Sequence, residues 1–228
     1  MAEILRLSEV SRKLGRMPAL TDVSVSVYGG RVVGLCGLHG CGKSTLLRIA
    51  AGLMRTDCGE VEICGLPVGK KTRALTACLP DRDMLPDDVK IGEAVRLFSG
   101  WFKDFSSAAA LAMLDDLSID INKRFGTFSQ GARRGIQFAL TASRQTALYL
   151  LDEPAAGMNP NETAELMDMI RLVRDKFGMT VLLIEHDMSL VSGICEKLTV
   201  LNFGQMLCEG KTENVLSDPD VIKAYLGD

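Results

Sequence analysis

Several things are missing from this 228-residue chain, and each absence narrows what it can be. Its apolar runs are short: "ALYLL" (147–151) and "TVLLI" (180–184) fall far below the ~18–20 residues of a helical membrane span. The N-terminus "MAEILRLSEV" carries acidic residues and no long apolar centre, so no signal peptide is expected there. No basic run exceeds two or three residues and the formal net charge is −3. That argues against nucleic acid as a partner and excludes a basic tail. The seven cysteines (Cys36, Cys41, Cys58, Cys64, Cys78, Cys195 and Cys208) are odd in number and contain no C-x-x-C pair. Neither a disulfide framework nor a zinc site is expected; reduced thiols in a cytosolic protein fit better, most of them as small buried hydrophobes. Internal repeats and low-complexity linkers are lacking as well.

What remains is an ordinary globular composition, 47% apolar and 24% charged, long enough for one large domain or a domain with a sub-domain. Alternation predicts strands over 3–10 and 22–28, and "RVVGLCG" (31–37) and "GEVEICG" (59–65) read as strands bounded by glycine. Together they predict a β-rich N-terminal sheet backed by one helix, "KSTLLRIAAGL" (43–53). From about 84 to 145 the pattern turns helical, in "IGEAVRLFSGWF", "SSAAALAMLDDL" and a segment running from Ser129 to about Arg144. From 147 strands and helices alternate: "ALYLLD", a helix near 161–176, "TVLLIE", a helix near 188–195, the hairpin "LTVLNFGQMLCEG" and two terminal helices. The expected fold is α/β with a mostly parallel, covered core sheet and an antiparallel N-terminal part. Residues 1–84 and 146–228 would form that core, and 85–145 an inserted helical sub-domain.

Three stretches carry chemistry. "GLHGCGKST" (37–45) matches G-x-x-x-x-G-K-[ST] between a strand and a helix. Glycines let the N–H groups of Gly37, His39, Gly40, Cys41, Gly42 and their neighbours through Thr45 curl around phosphate oxygens. Lys43 would reach the β- and γ-phosphates and Ser44 would ligate Mg²⁺; Cys41 sits in this loop, so alkylating it should block nucleotide binding. "ALYLLDEP" (147–154) delivers two carboxylates at the end of a buried strand, where open α/β sheets gather ligands. Asp152 suits the Mg²⁺ shell and Glu153 suits polarising an attacking water. "LLIEHD" (182–187) brings His186, one of only two histidines, to the same rim, as a γ-phosphate sensor.

A fourth stretch, "FSQGARR" (128–134), poses a question. Ser129 is a natural N-cap, and Gly131 strips bulk from the first turn so that another molecule can come close. Two arginines at a helix start are unfavourable, because that end favours anions. One P-loop already serves one triphosphate, so this helix start is expected to face the ATP of a second chain in a two-fold, head-to-tail dimer.

With these motifs in this order, the chain resembles the nucleotide-binding domain of ATP-binding-cassette (ABC) transporters over essentially its whole length. The resemblance makes Gly37–Thr45 the Walker A loop, Ser129–Arg133 the signature, Leu148–Glu153 Walker B, "AAGMNP" (155–160) the D-loop and His186 the switch histidine. It implies a P-loop NTPase fold, ATP and Mg²⁺ as ligands, and transport-coupled ATP hydrolysis. It also implies two kinds of partner: integral-membrane permease subunits, and a second ATPase subunit in a homodimer or heterodimer. The expected location is cytoplasmic, peripheral on the inner face of the cell membrane.

The departures from the family pattern carry their own expectations. Leu14 stands where the family stacks an aromatic ring on adenine, so base stacking should be weaker. Asp81 in "CLPDRDML" replaces the Q-loop glutamine; it could still approach Mg²⁺, with shorter reach and a charge. The signature reads Ser129, Gln130, Gly131, Ala132, and Asn159 takes the D-loop aspartate position. Residues up to about 150 look like exporter-type ATPases found beside GntR-type regulators; the rest looks like the ATPase subunit of branched-chain amino acid importers. A hybrid joined at about 146–152, binding nucleotide with weak turnover, is the alternative expectation.

Overall fold

The computed structural model describes residues 2–226. Its strands are β1 (Glu3–Leu14), β2 (Met17–Tyr28), β3 (Val32–Cys36), β4 (Cys58–Ile63), β5 (Leu66–Pro67), β6 (Thr76–Leu79), β7 (Leu148–Asp152), β8 (Thr180–Ile184), β9 (Lys197–Asn202) and β10 (Gln205–Lys211). Its helices are α1 (Lys43–Ala50), α2 (Ile91–Trp101), α3 (Ser107–Asp116), α4 (Gln130–Ala142), α5 (Pro160–Phe177), α6 (Met188–Ile194), α7 (Thr212–Leu216) and α8 (Pro219–Leu226). The strands make two sheets: a four-stranded antiparallel one, β2-β1-β4-β5, and a six-stranded one, β10-β9-β3-β8-β7-β6. In the second, β9, β3, β8, β7 and β6 run parallel, and β10 returns antiparallel.

The parallel strands are buried on both faces, which is why they read as unbroken apolar runs. Successive side chains alternate between two cores. Val33, Leu35, Leu148, Leu150, Leu182 and Ile184 meet the antiparallel sheet and α1, through Leu5, Val25, Leu46 and Leu47. Val32, Cys36, Tyr149, Leu151, Val181 and Leu183 meet the helices on the other side, through Phe138, Ile170 and Leu190. Helices α2, α3 and α4 leave the sheet after β6 and return at β7, around the fully buried Phe125.

Four sequence expectations need correction. "RVVGLCG" does not belong to the N-terminal sheet; it is β3, between β8 and β9 in the core sheet. All five of its residues are buried, as a parallel central strand requires. Strand β6 was not expected, because four residues with one cysteine and one threonine show no clear alternation. Strands β1 and β2 extend to twelve residues each; register shifts after Leu7 and Val10 break the alternation that would have revealed their full length. Helix α1 also ends at Ala50, short of the expected 53.

Asn159 has a local role that explains its place. It caps α5, its Oδ1 accepting from the N–H groups of Asn161 and Glu162, while Glu162 accepts the N–H of Asn159. This reciprocal capping box needs only a short side-chain oxygen, which asparagine supplies as well as aspartate.

The residues 146–152 lie across β7, which is buried and paired on both sides, so packing there is continuous. Leu150→Ala should cost about 2–5 kcal/mol of unfolding free energy, read from urea denaturation with the slope unchanged.

Candidate functional site

The order β3-β8-β7 sets three strand ends side by side. Leu35 and Asp152 both register with Ile184, so the residues that follow each strand emerge at one edge. From β3 the chain enters the loop 37–42 and then α1. Two glycines there are dictated by space. A Cβ on Gly37 would sit 2.2 Å from the Leu201 carbonyl oxygen, and one on Gly42 would sit 2.3 Å from that of Ala19. Both have positive φ. Leu38, His39 and Gly40 form the exposed crest of the loop. Lys43 is buried beneath it and its Nζ donates to the Gly37 and Leu38 carbonyls at 2.6 and 2.9 Å. Thr45 is buried one turn further on.

The Cys41 thiol turns inward. It is 5% exposed, belongs to the core beneath the loop, and its Sγ lies 3.8 Å from Lys43 Nζ. With the thiol packed in the core, alkylation of the folded protein should be slow.

From β7 come the carboxylates. Ser44 Oγ donates to Asp152 Oδ1 at 3.3 Å, joining the start of α1 to the end of β7. Asp152 is 3% exposed. Burial raises its pKa to about 6, helped by the negative charges of Asp81 and Glu153 and opposed by the Ser44 hydrogen bond. Asp81 itself is exposed on the loop after β6, within electrostatic range of Asp152. Glu153 adopts φ +50°, donates its N–H to Ile184 O at 3.0 Å, and holds Oε1 3.8 Å from His186 Nδ1. The His186 ring lies 6.2 Å from that of His39, centroid to centroid. Lys43, Ser44, Asp152, Glu153, His186 and His39 thus share one edge.

Glu185, passed over in the sequence, is a buried carboxylate behind His186. It accepts from the N–H of Ala155 at 2.8 Å and of His186 at 3.2 Å, and burial raises its pKa. It ties the end of β8 to the segment after Glu153. Its signal was a charged residue closing an apolar strand.

The "FSQGARR" helix has partners within its own chain as well. Ser129 caps α4, accepting from Ala132 N–H at 3.1 Å, and stays exposed. Gly131 lies against this chain's own Glu162: a Cβ there would come within 2.2 Å of its carboxylate, which would have to swing aside. The two arginines are met within the chain. Arg133 spans Asp83 and Asp87 at 3.2 and 3.1 Å and covers the Phe125 ring, while Arg134 turns into the interior. Gln137 completes a clasp on the loop after β6, accepting from Met84 N–H and donating to Asp83. Internal carboxylates and carbonyls neutralise the two cations that the helix start disfavours. Leu14 is 48% exposed at the tip of the β1–β2 hairpin, an apolar surface without a ring.

A raised carboxyl pKa means the fold prefers Asp152 protonated. Its contribution is therefore most favourable below about pH 4 and is lost as pH rises through about 6. Asp152→Asn should stabilise the ligand-free protein by about 2–3 kcal/mol at pH 7.5, and by far less at pH 4.5, in urea titrations.

Known proteins share this architecture. Residues 20–156 match the family model described as ABC transporter. The high-affinity branched-chain amino acid transport ATP-binding protein BraF of Pseudomonas aeruginosa is 33% identical across 99% of this chain and 98% of its own length. Its counterpart LivG of Escherichia coli K12 is 28% identical over the same shares. Both alignments cross the 146–152 segment, and nothing in them favours a hybrid. The ADP conformation of MJ1267, an ATP-binding cassette of an ABC transporter, superposes with TM-score 0.84, 25% identity and full coverage of both chains. A nucleotide-free ATP-binding cassette gives 0.85 at 24% identity, covering 99% and 100% of the two chains, a likeness of fold. On the strength of the family match and the full-length relatives, this chain belongs to the ABC transporter family, as one of its ATP-binding ATPase subunits.

Proposed function

We propose that this edge binds Mg²⁺-ATP and activates water for its hydrolysis, in a site completed by a second chain. The observation that carries the reading is the Ser44–Asp152 contact beside Lys43, with Glu153 and His186 at the same strand ends. Ser44 and Asp152 offer two hard oxygen donors at 3.3 Å, which suits Mg²⁺, and Asp81 lies within electrostatic range of the same point. The ion would supply charge neutralisation on the phosphate oxygens.

Lys43 exchanges its loop carbonyls for phosphate oxygens. The main-chain N–H groups of the 37–45 loop, with Gly37, His39, Gly40, Cys41 and Gly42 at its bend, cradle the phosphates. Glu153 polarises the attacking water, and His186 on the neighbouring strand end contacts the γ-phosphate. Ser129 and the first turn of α4, exposed on the helical side, cap the nucleotide of a partner subunit; Gly131 keeps that turn narrow. Residues 85–145 move as a unit in closing the dimer.

Permease subunits dock in the cleft of about 350 Å³ between β6, α2 and α4, lined by Leu53, Met84, Phe98 and Trp101. Trp101 is 66% exposed there, an apolar anchor whose ring tilts against that of Phe98 at 6.0 Å, centroid to centroid. The chain would then work at the inner face of the membrane; among the described residues no helix is long and apolar enough to cross it.

Glu153→Gln should cut turnover by about 10²–10³-fold while preserving ATP binding. Light scattering on that variant should show an ATP-dependent shift from monomer to dimer, abolished by adding Ser129→Arg. A monomer at saturating ATP would instead favour a nucleotide-binding domain with weak turnover.

A further inference from the structure

Arg134 stands in the second turn of α4, five residues after Ser129, and is 2% exposed. Burying a guanidinium is costly unless its charge and its five N–H groups are met. Here Nη1 donates to Pro80 O at 2.7 Å, and Nη2 donates to Asp152 O at 2.8 Å and Glu153 O at 2.5 Å. Asp83, Asp81, Glu185 and Asp152 are near enough to offset its charge. The Nε–H is buried and finds no hydrogen-bond partner among the described residues. An apolar side chain would fill this space without an orphaned donor, so packing alone does not account for an arginine.

What the arginine holds is unusual. Glu153 is a non-glycine residue at φ +50°, a left-handed conformation that side chains disfavour and that persists only when its surroundings enforce it. Its N–H is fixed to Ile184 O at 3.0 Å. Its carbonyl accepts from Arg134 and, at 3.1 Å, from Ala156 N–H. That turn points the carboxylate to His186. The same guanidinium reaches Pro80, at the start of the loop that carries Asp81 and enters the permease cleft at Met84.

We propose that Arg134 is a positioning residue for hydrolysis: it holds the Asp152–Glu153 main chain in the turn that aims Glu153, and it does so from the helix that begins at Ser129. The orientation of α4, and of the 80–84 loop clasped to it, is thereby transmitted to this chain's own Glu153. The inference rests on the role given to Glu153 above.

The test compares Arg134→Met and Arg134→Lys with the parent protein in three measurements: hydrogen exchange at the Glu153 and Ala156 amides, ATP affinity, and steady-state turnover. Arg134→Met should speed exchange at both amides at least tenfold and lower kcat at least tenfold, with ATP affinity kept within about twofold. Arg134→Lys, whose single ammonium reaches fewer of the three carbonyls, should fall between. On a Glu153→Gln background, Arg134→Met should lower turnover no further. Unchanged exchange, kcat within twofold of the parent, kcat and affinity falling together, or an equal further loss in the Glu153→Gln background would each overturn the proposal. Should the methionine variant fail to fold, the lysine variant decides by the same criteria. A parent protein that does not hydrolyse ATP would refute the hydrolytic reading instead, while amide exchange still tests the Arg134 hold.

Discussion

The parallel pairing of β3, β8 and β7 is the constraint on which the rest depends. Three short strands, each five residues and each wholly buried, stack in register and stop together. Where they stop, the apolar pattern gives way to Gly37, to Asp152 and Glu153, and to Glu185 and His186. A register slip of one residue would exchange the two faces of a strand and send its polar end to the wrong depth. The two cores on either side fix that register, because Leu150 and Leu151 each have their own apolar partners. The helical segment and the antiparallel sheet thus serve the edge indirectly, as the two walls that hold the strands in place.

The edge is bought with buried charge. Lys43, Arg134, Asp152 and Glu185 are all nearly inaccessible, and each would be costly alone. They are tolerated because they meet one another, main-chain carbonyls or main-chain N–H groups. The balance is incomplete. Asp152 titrates near 6, and the Arg134 Nε–H is orphaned. Such imbalances are what the proposed binding of a cation and a polyanion would require, and the fold bears their cost. The strained turn at Glu153 belongs to the same account.

Much of this was legible in the residues. The strand–loop–helix around "GLHGCGKST", the strands ending in "LLDEP" and "LLIEHD", and the helix opened by Ser129 declared themselves through apolar runs, glycine spacing and cap chemistry. What stayed hidden depended on long-range packing. Strand β6 is too short to show a period, and β3 looked like a neighbour of β2 because sheet membership is not a local property. Cys41 gave no sign that its thiol turns into the core. Gly131 gave no sign that the Glu162 carboxylate of the same chain lies against it. Arg133 and Arg134 showed only as two cations at a helix start; helix geometry sends them in different directions, one to Asp83 and Asp87, the other to Pro80, Asp152 and Glu153. Glu185 was overshadowed by the histidine after it.

One strand edge carries the loop, Ser44, Asp152 and Glu153, and among the described residues nothing closes over the exposed crest at His39 and Gly40. The central claim is therefore that a second chain completes each site. The most direct measurement is ATP turnover per chain as a function of protein concentration, at saturating Mg²⁺-ATP. The account predicts that specific activity rises with concentration and reaches a plateau, as for an active species of two chains. A specific activity that is substantial and independent of concentration, for a protein that stays monomeric throughout, would contradict it.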